Sequence, residues 1–445
     1  MPRSSRLTLR WLAALAFGAL CGAALAGGRP DKVLAELQEP HRRHLPAELL
    51  VQFEPALSEA AYADALARVG GRFAERVSGD LHRIVLPAGT DLAAAIRTLH
   101  ATPGIDFAEP NWLYEADTVS DDPYYTTNKL WGMEGDSSPL FQNPYGSQAA
   151  EAWDRGHTDC GKVMVAVIDE GAQFKHPDLK HNFWENPYEI PDNGIDDDGN
   201  GFIDDTRGWD FARDDKSTYD GVGDDHGTHV SGTIGARGGN GKGVAGVCWK
   251  VKLINVKFLG TASGSTANAI KSIDYITDLK TRHGLNLVAI NASWGGGGYS
   301  QGLKKSIELA GKADIVFVAA AGNDGADNDV TPHYPSSYDS PTIISVAAIG
   351  SAGLLAGFSN YGATSVDLGA PGVAIFSTVP TDNYAAYSGT SMATPHVAGA
   401  IALYASSHPG LSARQLKEAI LATTIPTPSL AGKTVTGGRL DVSGY

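Results

Sequence analysis

The sequence predicts an α/β protein whose main domain has a central, mostly parallel sheet covered by helices on both faces. Short runs of apolar, often β-branched residues recur after residue 150, and longer helix-like segments separate them. Apolar strands of this kind, alternating with helices, are typical of a parallel sheet buried between two helical layers. The chain has 445 residues, 42% of them hydrophobic and 19% charged, which is an ordinary globular composition. The predicted strands span residues 163–168, 251–256, 287–290, 315–320 and 342–348.

Residues 1–26 are predicted to be a secretory signal peptide. Arg3, Arg6 and Arg10 precede an apolar run over residues 11–25, which ends in a small-residue Ala-x-Ala pattern. A transmembrane anchor is the alternative, but the run is shorter than the ~20 residues that a spanning helix needs. We therefore expect a secreted, extracellular protein without a stable membrane anchor.

Residues 27–119 are predicted to form a separate small domain. Strand-like and helix-like patches between residues 48 and 110 follow one another in the order β-α-β-β-α-β, which is typical of a ferredoxin-like α+β domain. The polar, acidic and proline-containing stretch EADTVSDDPYY begins at residue 115. We place the boundary there, so that the main domain spans residues 120–445. The strands of the small domain are predicted at 49–53, 72–77, 82–86 and 105–108, and its helices at 58–69 and 91–100.

The formal net charge of the chain is −15. An acidic balance argues against a nucleic acid or an anionic membrane as a partner. It is compatible with cation binding, and also with solubility alone.

Two cysteines remain after the predicted signal peptide, Cys160 and Cys248. An exported protein meets an oxidising compartment in which paired thiols persist as disulfides. We predict one Cys160–Cys248 bridge, with two separate buried thiols as the alternative.

Three polar residues combine into a candidate catalytic group. Asp169 ends a predicted buried strand, His226 lies on a glycine-rich segment, and Ser391 begins an alanine-rich helix. Serine alone is a poor nucleophile, so acyl transfer needs a base to take its proton and a carboxylate to orient that base. The alternative for Ser391 is a purely structural N-cap.

A fourth residue is suited to the oxyanion that acyl transfer creates. Asn323 follows the strand predicted at 315–320 after a run of small residues, and its side-chain amide is a candidate donor. The backbone N–H of Ser391, left free at a helix start, is the expected second donor.

These segments together resemble the subtilisin family of serine proteases. The matching stretches are VIDEG, HGTHVSGT, NASWGG, AAGND and GTSMATPHVAG, in the Asp, His, Ser order of that family. The resemblance implies a serine endopeptidase acting on proteins and peptides, with His226 rather than His229 as the base, and a packing role for His396. It also implies that the small domain is a propeptide that assists folding and inhibits its own enzyme, and that is cleaved autocatalytically near residues 116–121. We expect a monomer.

The same resemblance implies the residues that contact substrate. The stretch after residue 292 looks like the strand that pairs with an extended substrate backbone, and it would form one wall of the pocket for the P1 side chain. Residues at the end of the 315–320 strand would form the opposite wall, while Asp324 and His333 near the pocket leave room for basic or polar P1 residues. The residues of the two walls are Ser293, Trp294, Gly295, Ala320, Ala321 and Gly322.

The stretch DNGIDDDGNGFIDD, which begins at residue 192, predicts a calcium site. Hard oxygen ligands alternate along it, with a glycine for a sharp turn, as Ca²⁺ requires. It is not a full EF-hand, because Arg207 stands where that loop needs glutamate. A solvated acidic loop is the alternative. The expected ligands are Asp196, Asp198, Asn200, Phe202 through its backbone, and Asp204.

A further cation site is implied only by family likeness. Asp122, Asp178 and Asn240 occupy matching places, with backbone carbonyls of Lys242 and Val244 expected to complete the shell.

One residue departs from the family pattern, because Glu170 stands where serine or threonine is usual. A second carboxylate pointing inward would raise the pKa of Asp169 or of the histidine. We expect Glu170 to face solvent or a cation.

Two other classes of function fit less well. A lipase or esterase of the α/β-hydrolase type needs Gly-x-Ser-x-Gly and the order Ser, Asp, His, but Ala393 occupies the last position of that motif. A non-catalytic scaffold would be expected to lack one of the four candidate catalytic residues, yet all four are present.

Overall fold

The computed structural model describes residues 29–38, 44–55, 57–113, 119–260 and 263–445. The chain forms two compact units, 1–114 and 115–445. The predicted signal peptide and much of the predicted cleavage region lie outside the described residues. Within the described ranges, no helix is both long enough and apolar enough to cross a membrane.

The N-terminal unit is a four-stranded antiparallel sheet with helices, and it confirms the β-α-β-β-α-β order. The strands lie in the order β2-β3-β1-β4. The side chains of Ser58 and Asp91 begin two of the helices by accepting backbone N–H groups. The elements are α1 (Pro30–Glu36), β1 (His44–Phe53), α2 (Glu59–Arg68), β2 (Arg72–Ser78), β3 (Leu81–Val85), α3 (Leu92–His100) and β4 (Ile105–Trp112).

The core of this unit lies between the sheet and α3. Leu92, Ile96 and Leu99 are spaced three or four residues apart, so they lie on one face of α3. That face packs with Leu49 and Val51 of β1, which are fully buried.

The C-terminal unit contains the remaining elements, with the five strands predicted from the sequence among them. Its helices are α4 (Pro123–Thr126), α5 (Ala149–Asp154), α6 (Asp225–Gly235), α7 (Thr266–His283), α8 (Gln301–Lys312), α9 (Thr390–Ser407) and α10 (Ala413–Ala422). Its strands are β5 (Met164–Asp169), β6 (Lys252–Lys257), β7 (Leu287–Ala292), β8 (Val316–Ala320), β9 (Ile343–Ile349), β10 (Leu368–Pro371), β11 (Ile375–Val379), β12 (Asn383–Tyr387), β13 (Ile425–Pro426) and β14 (Gly438–Arg439).

The main sheet has eight strands in the order β13-β14-β10-β9-β8-β7-β5-β6. All neighbouring pairs in it are parallel except β13 with β14, and β11 and β12 form a separate antiparallel hairpin. The predicted fold class, a mostly parallel sheet between helices, is therefore confirmed.

Alternate residues of β5 pack into two different cores. Val165 and Val167 share a core with α6 and α9, whereas Ala166 and Ile168 share the other with α7 and α8. Because side chains alternate across a strand, this division places helices on both faces of the sheet. The alternation explains why the strands read as continuous apolar runs.

The parallel strands end at one edge of the sheet. Asp169 is the last residue of β5, Ser293 directly follows β7, and Ala320 ends β8. The carboxyl edge of such a sheet is where parallel α/β proteins place their ligands.

Cys160 and Cys248 are disulfide-bonded, with their Cα atoms 6.1 Å apart. Both residues are fully buried in the core that contains α6 and α9. The bridge joins the segment before β5 to the segment before β6.

Candidate active site

Asp169 and His226 form a hydrogen-bonded pair at the carboxyl edge. Oδ1 of Asp169 accepts from Nδ1 of His226 at 2.9 Å and from the backbone N–H of Glu170 at 2.8 Å. Asp169 is fully buried, and His226 is the second residue of α6. Because Nδ1 carries the proton in this bond, Nε2 of the neutral ring is left as a proton acceptor.

Charge at the pair favours the protonated ring. Burial alone lowers the pKa of His226, but the charge and hydrogen bond of Asp169 outweigh it, and Glu170 and Asp225 act in the same direction. The net result raises the pKa of His226 to about 9. The site is therefore built to stabilise an imidazolium.

The two other histidines near the candidate nucleophile are packed and neutral. Burial lowers the pKa of His229 to about 3 and that of His396 to about 4. His229 donates from Nε2 toward the backbone oxygen of Ile375 at 2.8 Å and stacks on Tyr387, and His396 contacts the backbone oxygen of Met392 through Nδ1. These contacts agree with structural roles for both.

Ser391 is the second residue of α9, and Gly389 is the N-cap. The alternative that Ser391 is a side-chain cap is therefore wrong. Its Oγ donates to the backbone oxygen of Ser293 at 3.0 Å. Within the described part of the chain it makes no hydrogen bond to His226, so a rotation of the serine side chain is needed to present its proton to Nε2.

Pro395 lies inside α9, in its second turn. Proline has no N–H, so it cannot donate to the backbone oxygen of Ser391 four residues earlier. The hydroxyl of Ser293 fills that place at 2.8 Å, and Nδ2 of Asn291 donates to the same hydroxyl at 2.9 Å. Ser293 and Ser391 therefore hold each other by two reciprocal hydrogen bonds.

Asn323 is exposed and has a fixed orientation. Its Oδ1 accepts the backbone N–H of Thr390 at 2.8 Å and the Thr390 hydroxyl at 2.9 Å. With Oδ1 engaged by two donors, Nδ2 is the end of the amide that can donate to another group. Asn323 and Ser391 are thus tied to the same helix start.

The two proposed pocket walls lie at the ends of neighbouring strands, because β7 pairs with β8. Ser293, Ala320 and Ala321 are buried, and the indole nitrogen of Trp294 donates to the backbone oxygen of Ile168 at 2.8 Å. The side chain of Trp294 is thus used in packing, which leaves its backbone for other contacts.

His333 lies at both walls. A Cβ atom at Gly295 or at Gly322 would overlap its ring, and Gly322 has a φ of +112°, so glycine is required at both positions. Burial lowers the pKa of His333, which favours the neutral form of the ring. Asp324 lies exposed, with its backbone N–H bonded to Oδ1 of Asn360 at 2.9 Å.

The acidic loop brings together a different set of carboxylates from the one expected. Glu189, Asp198 and Asp205 each offer a ligand atom within 4.8 Å of the others, and we call these residues the carboxylate cluster. In the described ranges it is the one group of three or more such side chains close enough to share an ion. Nδ2 of Asn200 donates to Asp205 at 2.9 Å, so Asn200 lies beside the cluster.

Asp196 and Asp204, which are expected ligands, are not members of the carboxylate cluster in the described residues, because other groups engage them. Asp196 accepts the backbone N–H groups of Asn200 and Gly201. Asp204 pairs with Lys216 at 3.0 Å and caps backbone N–H groups of the preceding turn. The phenyl ring of Phe202 packs against the rings of Trp209, Phe211 and Tyr275.

Asp122, Asp178 and Asn240 meet at the turn over residues 239–244. Asp122 accepts the backbone N–H groups of Gly239, Asn240 and Lys242, and Asp178 accepts Nδ2 of Asn240 at 3.1 Å and the N–H of Val244 at 3.0 Å. The turn therefore presents amide donors to both carboxylates, whereas the expected shell uses carbonyls of Lys242 and Val244.

Glu170 is only partly exposed, and one oxygen of its carboxylate is engaged at the start of α6, a contact that the sequence did not predict. Its Oε1 accepts the backbone N–H of His226 at 2.6 Å. Sequence reasoning also missed Glu189, Asp205 and Thr390. The sequence does show two adjacent acidic residues at 204–205 and a hydroxyl residue next to Ser391. The spacing does not indicate which of two adjacent residues contributes to the site.

The parallel sheet, the Asp–His pair at its carboxyl edge and a serine at a helix start together define a serine hydrolase. A model of the subtilase family, peptidase family S8, matches residues 161–442, and a model of the fervidolysin N-terminal prodomain matches residues 30–111. The chain belongs to the subtilase family, and it is a serine endopeptidase with an N-terminal prodomain.

Individual relatives agree with this assignment. The chain is 32% identical over 400 residues to the thermophilic serine proteinase of Bacillus sp. (strain AK1), covering 88% of this chain and 86% of that protein. It is 34% identical over 300 residues to thermitase of Thermoactinomyces vulgaris, covering 67% and 89%. A solved protease of Pseudoalteromonas arctica PAMC 21717 superposes with a TM-score of 0.59 at 28% identity, covering 74% of this chain and 98% of that one.

Proposed function

We propose that the chain is a secreted, calcium-stabilised serine endopeptidase, made as an autoprocessed zymogen, with Asp169, His226 and Ser391 as its catalytic triad. The observation that carries the proposal is the 2.9 Å bond between Asp169 and Nδ1 of His226, which leaves Nε2 as the acceptor. Ser391 lies on α9, which packs against the α6 helix that carries His226.

The reaction begins when the Ser391 hydroxyl rotates from the Ser293 oxygen to Nε2 of His226. The ring takes the proton as Oγ attacks the peptide carbonyl, and Asp169 stabilises the imidazolium. The imidazolium then returns the proton to the leaving amine. Water hydrolyses the acyl-enzyme in the same manner, with His226 again acting as base.

The oxyanion of each tetrahedral intermediate is bound by two donors. One is Nδ2 of Asn323, which is available because Thr390 engages Oδ1. The other is the backbone N–H of Ser391, near the positive end of α9.

Substrate binds as an extended strand beside residues 293–295, read through its backbone. The P1 side chain enters between this segment and the walls formed by Ala320, Ala321 and Gly322. Because His333 lies at both walls and the exposed Asp324 follows Asn323, we expect the pocket to tolerate basic or polar P1 residues.

Calcium binding is supported by the chemistry of the carboxylate cluster. Three carboxylates within 4.8 Å repel one another, and hard oxygen donors in this number suit Ca²⁺. Glu189, Asp198 and Asp205 would hold the ion, with Asn200 able to turn its amide oxygen inward. The ion would stabilise the loop and takes no part in the chemical steps. The turn that joins Asp122, Asp178 and Asn240 remains a second proposed site.

Maturation is proposed to remove two segments, the signal peptide 1–26 and the propeptide 27–119, leaving the peptidase domain 120–445. The chain's own active site is proposed to cut between the propeptide and the peptidase domain, near residues 116–121. Until that cut is made, the propeptide acts as the intramolecular inhibitor. The proposed partners are protein and peptide substrates and the propeptide, without nucleic acid or a membrane anchor, and the mature enzyme is proposed to be a monomer.

The test is intact-mass spectrometry of the secreted wild type beside Ser391→Ala. We expect the wild type to lose about the first 120 residues, the length of the matched prodomain and the segments around it, while the variant keeps its prodomain. Ser388→Ala, three residues earlier, is the matched control and is expected to mature normally. Equal processing of all three chains contradicts autoprocessing by Ser391.

A further inference from the structure

Glu170 contacts both members of the Asp–His pair. Its backbone N–H donates to Oδ1 of Asp169 at 2.8 Å, and its side-chain Oε1 accepts the backbone N–H of His226 at 2.6 Å. One residue at the end of β5 thus connects the strand that carries the carboxylate to the helix that carries the base.

The start of α6 needs such a contact. The first N–H groups of a helix have no partner within the helix, and a side chain at the N-cap usually accepts one of them. The N-cap here is Asp224, whose carboxylate is engaged by Lys257 at 2.5 Å and by the N–H of Asp220, and makes no capping bond. Glu170 supplies the missing acceptor from another element.

The surroundings of Glu170 are mostly acidic. The charged and titratable groups that act on it or on which it acts are Asp169 on β5, Asp225 and His226 on α6, and Tyr387 on β12. Asp225 is itself engaged by the hydroxyl of Tyr387 at 2.6 Å. Burial raises the pKa of Glu170 to about 7, and the charge of Asp169 adds to the effect. Holding an ionised carboxylate in this partly buried, acidic environment costs free energy, and this cost argues that Glu170 has a function at the site.

We propose that Glu170 is a positioning residue for the base: its carboxylate caps α6 in place of Asp224 and so fixes the His226 ring against Asp169, and its charge stabilises the imidazolium. This inference rests on the proposed role of His226 as the catalytic base. Glu170 would thus make two separable contributions. Capping of α6 needs only an acceptor oxygen, whereas stabilisation of the imidazolium needs a negative charge.

Two substitutions test these contributions separately. Glu170→Gln keeps an oxygen that can accept the His226 N–H but removes the charge, whereas Glu170→Ala removes both. In both variants we expect the acid limb of the pH profile of kcat/KM to move to lower pH by about one unit, because the imidazolium loses a stabilising charge. At the plateau we expect kcat of Glu170→Ala to lie about tenfold below that of Glu170→Gln, with KM unchanged, because only the alanine variant lacks the cap.

Rates are divided by the concentration of active sites, which is titrated with a fluorophosphonate. Molecules that have not matured therefore do not lower the measured kcat. Glu308→Gln, which removes a partly exposed carboxylate paired with Lys304 on α8, controls for net charge and is expected to leave the profile unchanged. If Glu170→Ala does not fold, the midpoint shift of Glu170→Gln decides the matter. An unshifted midpoint, or equal plateaus in the two variants, overturns the inference. A wild type without fluorophosphonate-sensitive peptidase activity overturns the proposed function as well.

Discussion

The carboxyl edge of the main sheet and the acidic loop hold polar side chains by different means. At the edge, Asp169 and Ser293 lie at strand ends and Ser391 at a helix start, so the fold itself fixes them. In the loop, Glu189 accepts the backbone N–H groups of Asp197, Asp198 and Asp204, so the loop is held by its own hydrogen bonds.

This difference separates activity from stability. Substitutions at the edge should change the rate of reaction and lower the free energy of unfolding by no more than about 1 kcal/mol, because the sheet and helices remain. Substitutions in the carboxylate cluster should do the reverse. The following predictions test this division, from the largest expected effect to the smallest.

The largest effect is expected for Asp169→Asn. The amide preserves the shape of the side chain but removes the charge that stabilises the imidazolium, so kcat should fall by about 10⁴-fold. The rate of peptide hydrolysis per folded molecule measures the effect on activity, and a thermal melt of the same sample measures the effect on stability. A large loss of thermal stability in this variant would contradict the division.

The pH dependence of the wild type should show the charge at the edge. His226 must be neutral to take the serine proton, and its pKa is raised, so activity is present above that pKa and lost as the pH falls through it. We expect kcat/KM to decline about tenfold per pH unit on the acid side of the midpoint, which should lie above the ordinary value for histidine. A midpoint below pH 6.5 contradicts the electrostatics described above.

Calcium should affect stability and not chemistry. Chelation is expected to lower the free energy of unfolding by about 2–3 kcal/mol if calcium was present at a hundred times its Kd. Asp205→Asn should abolish most of that dependence, and kcat at saturating substrate should stay within about twofold. Asp196→Asn is the matched control in the same loop, because Asp196 caps backbone N–H groups instead. Equal effects of the two substitutions would restore the ligand set expected from the sequence.

The smallest effect is expected for Ser293→Ala. The substitution leaves the backbone oxygen of Ser391 without the donor that replaces the N–H of Pro395, which costs about 1 kcal/mol. We expect kcat to fall by about fivefold through looser placement of the nucleophile. Ser300→Ala, at the N-cap of α8, is the control for loss of a serine hydroxyl, and it should lower stability without lowering kcat.

The same comparison explains which parts were predictable from the sequence. The five predicted strands, which belong to the eight-stranded main sheet, are apolar on both faces, so their positions follow from composition. Asp169 and Asn323 follow from where two of these strands end. The residue at which α9 begins was harder to predict, because its N-cap, Gly389, has no side chain that would mark a helix start.

The sequence and the structure select different carboxylates in the acidic loop, and the difference has a physical reason. Alternating acidic residues define a set of candidate ligands, but competing partners decide which of them converge. Lys216, twelve residues further along the chain, pairs with Asp204, whereas Tyr275 on α7 donates to Asp205 at 2.6 Å. Such long-range partners are invisible to local spacing, and Glu189 lies outside the alternating pattern altogether.

The Cys160–Cys248 bridge has a consequence for autolysis. The covalent ring that it closes spans 88 positions and contains Asp169, His226 and the acidic loop, whereas Asn323 and Ser391 lie outside it. A single cut in the exposed part of that loop leaves two polypeptides that are still joined through the bridge. Nicked enzyme should therefore migrate as one species until a reductant is added, and the damage will be missed wherever samples are analysed only in their oxidised form.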